Sequence, residues 1–148
     1  MDIKLRKATT ADMARVHALV CELAEYEKGL QNVTSSPESY RKDFSEGWFD
    51  AFVAESKSDI IGIALYTGMY STWRGRMLYL EDFVVRDAYR GKGVGKLLFE
   101  AFLDEAKRQK AVLVKWQVLA WNEPGLNFYR KYDTVFDEEW IDCKIYFE

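Results

Sequence analysis

The chain has little of several things that would otherwise steer its reading. It holds one histidine, two cysteines and two prolines among 148 residues. A histidine-based triad or a multi-histidine zinc site would rest on His17 alone, so no metal centre is expected. Acid–base chemistry must then come from carboxylates, tyrosine or lysine. Cys21 and Cys143 lack metal-ligand spacing and are expected as reduced core thiols of a cytoplasmic protein, not as nucleophiles. No apolar run approaches the ~20 residues of a membrane span, and MDIKLRKATT lacks the apolar centre of a secretion signal. Neither sign of charge dominates, the formal net charge being −3. That argues against nucleic acid as the main partner and is compatible with a small cationic molecule, while the missing apolar run leaves no membrane partner expected.

What is present suits one domain over residues 1–148. Hydrophobic residues make up 49% and charged residues 30%, enough for a sizeable core in a chain of this length. Five Trp, nine Tyr and nine Phe are many, and point to pockets or an interface as well as a core.

The rest of the chain is organised around Met77–Leu98. Seven of the nine residues Met77 to Val85 are apolar or aromatic, as in a largely buried strand, yet Glu81 and Asp82 interrupt it. A core strand does not keep adjacent carboxylates without a reason. Arg90-Gly91-Lys92-Gly93-Val94-Gly95 follows, and from Val94 the apolar residues recur on one helical face. Glycines at a helix N-terminus let backbone N–H groups form a nest that suits a phosphate. The spacing fits neither a P-loop nor a dinucleotide fingerprint.

Taken in order, residues 2–8 alternate as a strand, and Thr9 with Asp12 offers a capping box for a helix carrying Val16, Leu19, Val20, Leu23 and Ala24. Ser36-Pro37 opens a second helix, to about Glu46. Strands at 51–55 and 60–70 flank the tight turn Lys57-Ser58-Asp59. After the glycine loop and its helix, residues 111–119 form a strand, giving a βαβ crossover and local parallel pairing. Asn122 caps a helix with Pro124 in its first turn, and residues 134–136 and 140–147 read as two final strands. The order β-α-α-β-β-β-α-β-α-β-β is that of an α/β domain with a mixed sheet.

Together, the Arg90-x-x-Gly93-x-Gly95 loop after a buried strand, Tyr79-Leu80-Glu81-Asp82-Phe83 before it, and Trp121-Asn122-Glu123-Pro124 followed by Asn127-Phe128-Tyr129 resemble the GNAT superfamily of N-acetyltransferases. Glu22 to Glu27 adds a likeness to the diamine (spermidine/spermine) enzymes and their thialysine-acetylating relatives. The resemblance implies a mixed, mostly antiparallel central sheet flanked by helices, with an acetyl-CoA-binding βαβ core. It implies acetyl-CoA as cosubstrate, a small cationic amine as acceptor, and a homodimer. For the cosubstrate it implies the backbone of Phe83, Val84 and Val85, the loop Arg90, Gly91, Lys92, Gly93, Val94, Gly95 and Lys96, and the segment Asn122, Glu123, Pro124 and Gly125. Tyr129 matches the tyrosine that protonates the departing thiolate, and Glu81 the acid that takes the amine's proton through water. Acceptor contacts map to Tyr26, Glu27, Glu81, Lys115, Trp116, Gln117 and Glu139.

The chemistry asks for these residue types in its own right. A primary amine, with a reference pKa near ~10.4, arrives as the ammonium and cannot attack. A nearby carboxylate attracts it and accepts its proton, and burial in the strand should raise that acid's pKa toward a better base. Asp82 is the alternative to Glu81 for this role. Where the diamine enzymes carry an aspartate before Trp73, this chain has Ser71-Thr72, which puts long polyamines in doubt. The alternatives are acetylation of an amino-acid or protein amine, with Lys115 or Arg74 facing an acceptor carboxylate, and a CoA-binding module without turnover.

Overall fold

The computed structural model describes residues 2–148. The chain separates into two compact units, one running to Gln117 and the other Val118–Glu148.

The first unit is a five-stranded sheet with three helices. Its strands are β1 (Lys4–Lys7), β2 (Asp50–Ser56), β3 (Asp59–Ser71), β4 (Gly75–Val85) and β5 (Leu113–Trp116). They lie side by side in sequence order, antiparallel except for the parallel β4–β5 pair. The β2–β3 turn places Lys57 and Ser58 at φ 51° and 65°, the left-handed pair that matches strand twist in a two-residue hairpin. Helices α1 (Met13–Tyr26) and α2 (Pro37–Ser45) belong to one face, α3 (Val94–Arg108) to the other.

The apolar spacing explains both faces. Met13, Val16 and Leu19 of α1 pack with Val53, Ile63, Leu65 and Val84, and Tyr40 and Phe44 of α2 join them. On the opposite face Phe99 meets Phe83 at 5.7 Å and Phe102 meets Tyr66 at 5.5 Å between ring centroids. Close approach of α3 depends on Gly62, where a Cβ would come within 2.9 Å of the Leu98 side chain. The Thr9–Asp12 box forms, closing a single 3-10 turn (Thr10–Asp12) before α1 begins. The Asp12 carboxylate accepts the Thr9 N–H at 2.7 Å and a two-pronged contact from Arg6 at 2.8 and 3.0 Å.

Two irregularities of β4 position the site. Leu65 is opposite Asp82 and Tyr66 is opposite Leu80, so Glu81 has no partner and forms a bulge. Leu65 belongs to the α1 face and Tyr66 to the α3 face, so the bulge sends Leu80 into the α3 core and Asp82 to the α1 side. Further, β5 pairs with β4 only over Met77–Leu80. Beyond Leu80, no strand among the described residues pairs with that edge of β4.

The second unit contains α4 (Glu123–Tyr129), opened by Asn122 Oδ1 accepting the Gly125 N–H at 3.2 Å. The two final strands expected from the sequence are absent among the described residues. Residues 134–148 carry no regular hydrogen bonding and leave Val135, Trp140, Ile141, Ile145 and Phe147 exposed. An apolar pattern makes a strand only where a partner edge supplies the ladder. The strand expected at 111–119 is likewise confined to Leu113–Trp116. Cys21 is half-buried, whereas Cys143 is exposed and is not the core thiol expected of it.

Candidate active site

The glycine loop forms as the spacing predicts. Gly91 and Gly93 take φ of 73° and 84°, where a Cβ would be strained, and Gly93 is the N-cap of α3. The first hydrogen bond of the helix runs from the Leu97 N–H to the Gly93 carbonyl at 3.1 Å. Among the described residues the N–H groups of Val94, Gly95 and Lys96 therefore lack intrahelical acceptors, and those of Gly91, Lys92 and Gly93 donate to no backbone carbonyl. Lys96 and Lys92 are exposed beside them.

Arg90 braces this loop. Its Nε donates to the Val85 carbonyl at 2.8 Å, its Nη1 meets Asp87 at 2.7 Å, and its guanidinium lies 5.4 Å from the centroid of the Tyr26 ring. Lys92 Nζ donates to the Ala88 carbonyl at 3.2 Å. A cleft of about 360 Å³ opens here between the end of α1 and the end of β4, lined by Glu25, Tyr26, Val84, Val85, Arg86 and Arg90. Arg86 is tied down on both sides, to Asp59 at 3.2 Å and to Glu22 at 3.6 Å, and Arg15 joins the same two carboxylates at 3.0 and 3.6 Å.

At the bulge the charges are not balanced in this way. Glu81 is exposed, and its neighbour Asp82 takes the burial that was expected of Glu81. Loss of water, then the negative charges of Glu81 and Glu27, push the Asp82 carboxyl up to about 7. Burial also raises the Glu27 carboxyl. The Tyr40 phenol on α2 is pushed up to about 12, first by burial and next by the charge of Asp82. Among the described residues no lysine or arginine pairs with Glu27, Glu81 or Asp82. Nor is any group of three or more His, Cys, Asp or Glu among the described residues arranged to hold a metal ion.

The structure thus gathers Glu27 and Glu81, and separately Tyr26 and Arg90. Trp116 is half-buried and packs edge-on to Phe99 at 5.3 Å, while Lys115 and Gln117 on either side are exposed. In the second unit, Glu123 pairs with Arg130 at 2.9 Å and Pro124 lies in the first turn of α4. Tyr129 is buried, and its carbonyl accepts the Thr134 hydroxyl at 2.7 Å. Glu139 lies on the exposed 134–148 segment, its N–H donating to Asp137 at 3.0 Å. Sequence reasoning passed over Tyr40 and Arg86. For Arg86 the signal was its place directly after β4; for Tyr40 there was none, because α2 is brought to Asp82 only by tertiary packing.

Comparison with known proteins agrees with this geometry. The Acetyltransferase (GNAT) family profile matches residues 16–133. The chain is 33% identical over 154 residues to the mouse thialysine N-epsilon-acetyltransferase, covering 95% of this chain and 91% of that protein. It is 28% identical to the human spermidine/spermine N(1)-acetyltransferase-like protein 1, covering 93% of this chain but 21% of that longer protein. Its fold is similar to that of an aminoglycoside acetyltransferase from an uncultured soil metagenomic sample, with a TM-score of 0.80 at 20% identity and 99% and 97% of the two chains covered. With the bulged β4, the glycine loop and the parallel β4–α3–β5 crossover in place, the chain belongs to the acetyltransferase (GNAT) family.

Proposed function

We propose that this N-acetyltransferase moves the acetyl group of acetyl-CoA to a primary amine of a small cationic acceptor, of diamine, polyamine or thialysine type, by direct attack. The observation that carries the reading is a contrast along β4 and the loop after it: a cluster of carboxylates that no lysine or arginine pairs with among the described residues, then a loop whose N–H groups donate to no backbone carbonyl among them. A cationic acceptor complements the first and a pyrophosphate the second.

The residues present fit acetyl-CoA. Six successive loop amides from Gly91 to Lys96, with Lys92 and Lys96, would hold the pyrophosphate. The backbone of β4 at Phe83, Val84 and Val85, beyond the stretch that β5 covers, would pair with the extended arm, as an edge strand pairs with an amide-bearing chain. Asn122, Glu123, Pro124 and Gly125 would meet it near the thiol. When bound, acetyl-CoA supplies an activated acyl carbon and a thiolate leaving group. Arg90 would shape the start of the loop, its Nε and Nη1 already meeting the Val85 carbonyl and Asp87.

Glu81 takes the acceptor's proton, directly or through water, and Tyr129 protonates the leaving thiolate. Tyr26, Glu27, Lys115, Trp116, Gln117 and Glu139 contact the acceptor. The turn residue Ser71 accepts the Arg74 N–H at 3.2 Å and offers no charge to a distant ammonium, which favours short acceptors. Two assignments go with this reading: a cytoplasmic location, and a homodimer using the exposed apolar side chains of 134–148. Lys115, exposed and without an acidic partner among the described residues, favours a second reading in which the acceptor also carries a carboxylate.

Acetyl-CoA-dependent thiol release against putrescine, spermidine, spermine, thialysine, lysine and a basic peptide tests this. Turnover with thialysine or short diamines is expected. Tyr129→Phe should keep acetyl-CoA affinity and lose about 10²–10⁴ in kcat, the range of general acid catalysis. Full activity in that variant would remove the acid role from Tyr129. Binding of acetyl-CoA without turnover on any amine would leave a CoA-binding module.

A further inference from the structure

Resting on the acceptor site just proposed, we infer that Asp82 is its proton-exchanging acid: protonated while the site is empty, and ionised when a cationic amine enters. Asp82 thereby becomes a determinant of acceptor binding that neither Glu81 nor Glu27 can replace.

The argument starts from the bulge. Without it, Asp82 would share a face with Leu80, which is buried against α3; with it, Asp82 turns to the α1 side beside the exposed Glu81. Three elements then face the carboxyl: β4 with Glu81, the end of α1 with Glu27, and α2 with Tyr40, whose phenol in turn feels Cys21. None of these brings a positive charge, and among the described residues no lysine or arginine pairs with Asp82. Adjacent acids in one site cannot all ionise cheaply, so one keeps a proton. The bulge turns Asp82 inward, half-buried against the α1 side where Glu81 is exposed, so the proton falls to Asp82 and Glu81 is the exposed member of the pair.

Entry of an ammonium reverses the balance. Opposite charge favours the ionised carboxyl, so an O–H bond of Asp82 breaks, the proton leaves to water, and the carboxylate pairs with the cation. No electrons move and no co-reactant is needed. By linkage, a group that must lose a proton for binding makes affinity rise with pH until the group is ionised in the free protein. For a carboxyl titrating near 7, the empty site is mostly protonated at pH 6 and mostly ionised at pH 8. Affinity should therefore strengthen about tenfold between those values. An aliphatic ammonium does not titrate in that window.

Two measurements on the whole protein test this. Carboxyl-carbon NMR of the free protein should show one side-chain carboxyl titrating near neutrality, missing in Asp82→Asn and shifted down by 1,4-diaminobutane. Calorimetric titration with 1,4-diaminobutane at pH 6.5, in two buffers of different ionisation enthalpy, should show proton release and weaker binding than at pH 8. Imidazoles titrate in the same range, and the His17 ring packs edge-on against Tyr40 at 4.8 Å. The pH dependence should therefore vanish in Asp82→Asn and persist in His17→Gln. Carboxyls that all titrate in the ordinary acidic range, or a pH dependence surviving in Asp82→Asn, would overturn the inference even if amines are acetylated. A near-neutral Asp82 that responds to the diamine would uphold it even if no acetyl transfer were found.

Discussion

Two acidic groups lie on the same side of the sheet and differ in one respect. Glu22 and Asp59 are each shared between Arg15 and Arg86, a closed square of alternating charge that ties α1 to the end of β4. Among the described residues no lysine or arginine pairs with Glu27, Glu81 or Asp82, and loss of water with the two neighbouring acids pushes the Asp82 carboxyl up instead. The first group is complete within the chain and reads as structure. The second is the one that the proposed cationic acceptor would complete. Acidity alone therefore says little about function; the missing counter-charge says more.

The comparison breaks most readily at Glu81. Glu81→Gln should lower kcat/KM for cationic amines by about 10²–10³ through lost general base catalysis and cation attraction, with the melting temperature nearly unchanged. Steady-state kinetics beside a thermal melt would show it. Asp82→Asn should do the opposite to the fold. A carboxyl whose folded pKa lies above its unfolded value binds its proton more tightly in the native state, so native stability falls as pH rises from about 4 to about 7. At pH 8 the variant should be more stable than the native protein, on the order of a few kcal/mol at most, and at pH 4 the two should converge. Urea unfolding at the two pH values decides this.

The loop and the paired square give smaller effects. Gly93→Ala puts a Cβ at φ 84° and should cost about 1–2 kcal/mol while weakening acetyl-CoA binding severalfold, read by denaturation and by cosubstrate KM. Arg86→Ala should cost at most about 1 kcal/mol, since its partners are partly exposed, with little change in KM for the amine. A large kinetic loss from Arg86→Ala, without loss of stability, would erase the distinction between the two acidic groups.

These contrasts also show which parts of the molecule could be read in the chain. The loop was legible because Gly91 and Gly93 are local answers to a local demand for positive φ, and the helix after it because Val94, Leu98 and Phe102 repeat on one face. The parallel crossover followed from strand, helix and strand in succession. What was not legible depends on neighbours far along the chain. The bulge at Glu81 is set by the β3 register, and it leaves Glu81 exposed and gives Asp82 the burial expected of Glu81. Residues 134–148 carry apolar and aromatic side chains in strand-length runs, yet composition cannot supply a partner edge, and the segment forms no strand and stays largely exposed.

The most direct test of the account is acetyl-CoA-dependent thiol release with thialysine and 1,4-diaminobutane, native protein beside Glu81→Gln. The account predicts turnover by the native protein, lost by about 10²-fold or more in the variant while acetyl-CoA still binds. Native protein that binds acetyl-CoA but acetylates no cationic amine, or a variant as active as the native protein, would contradict it.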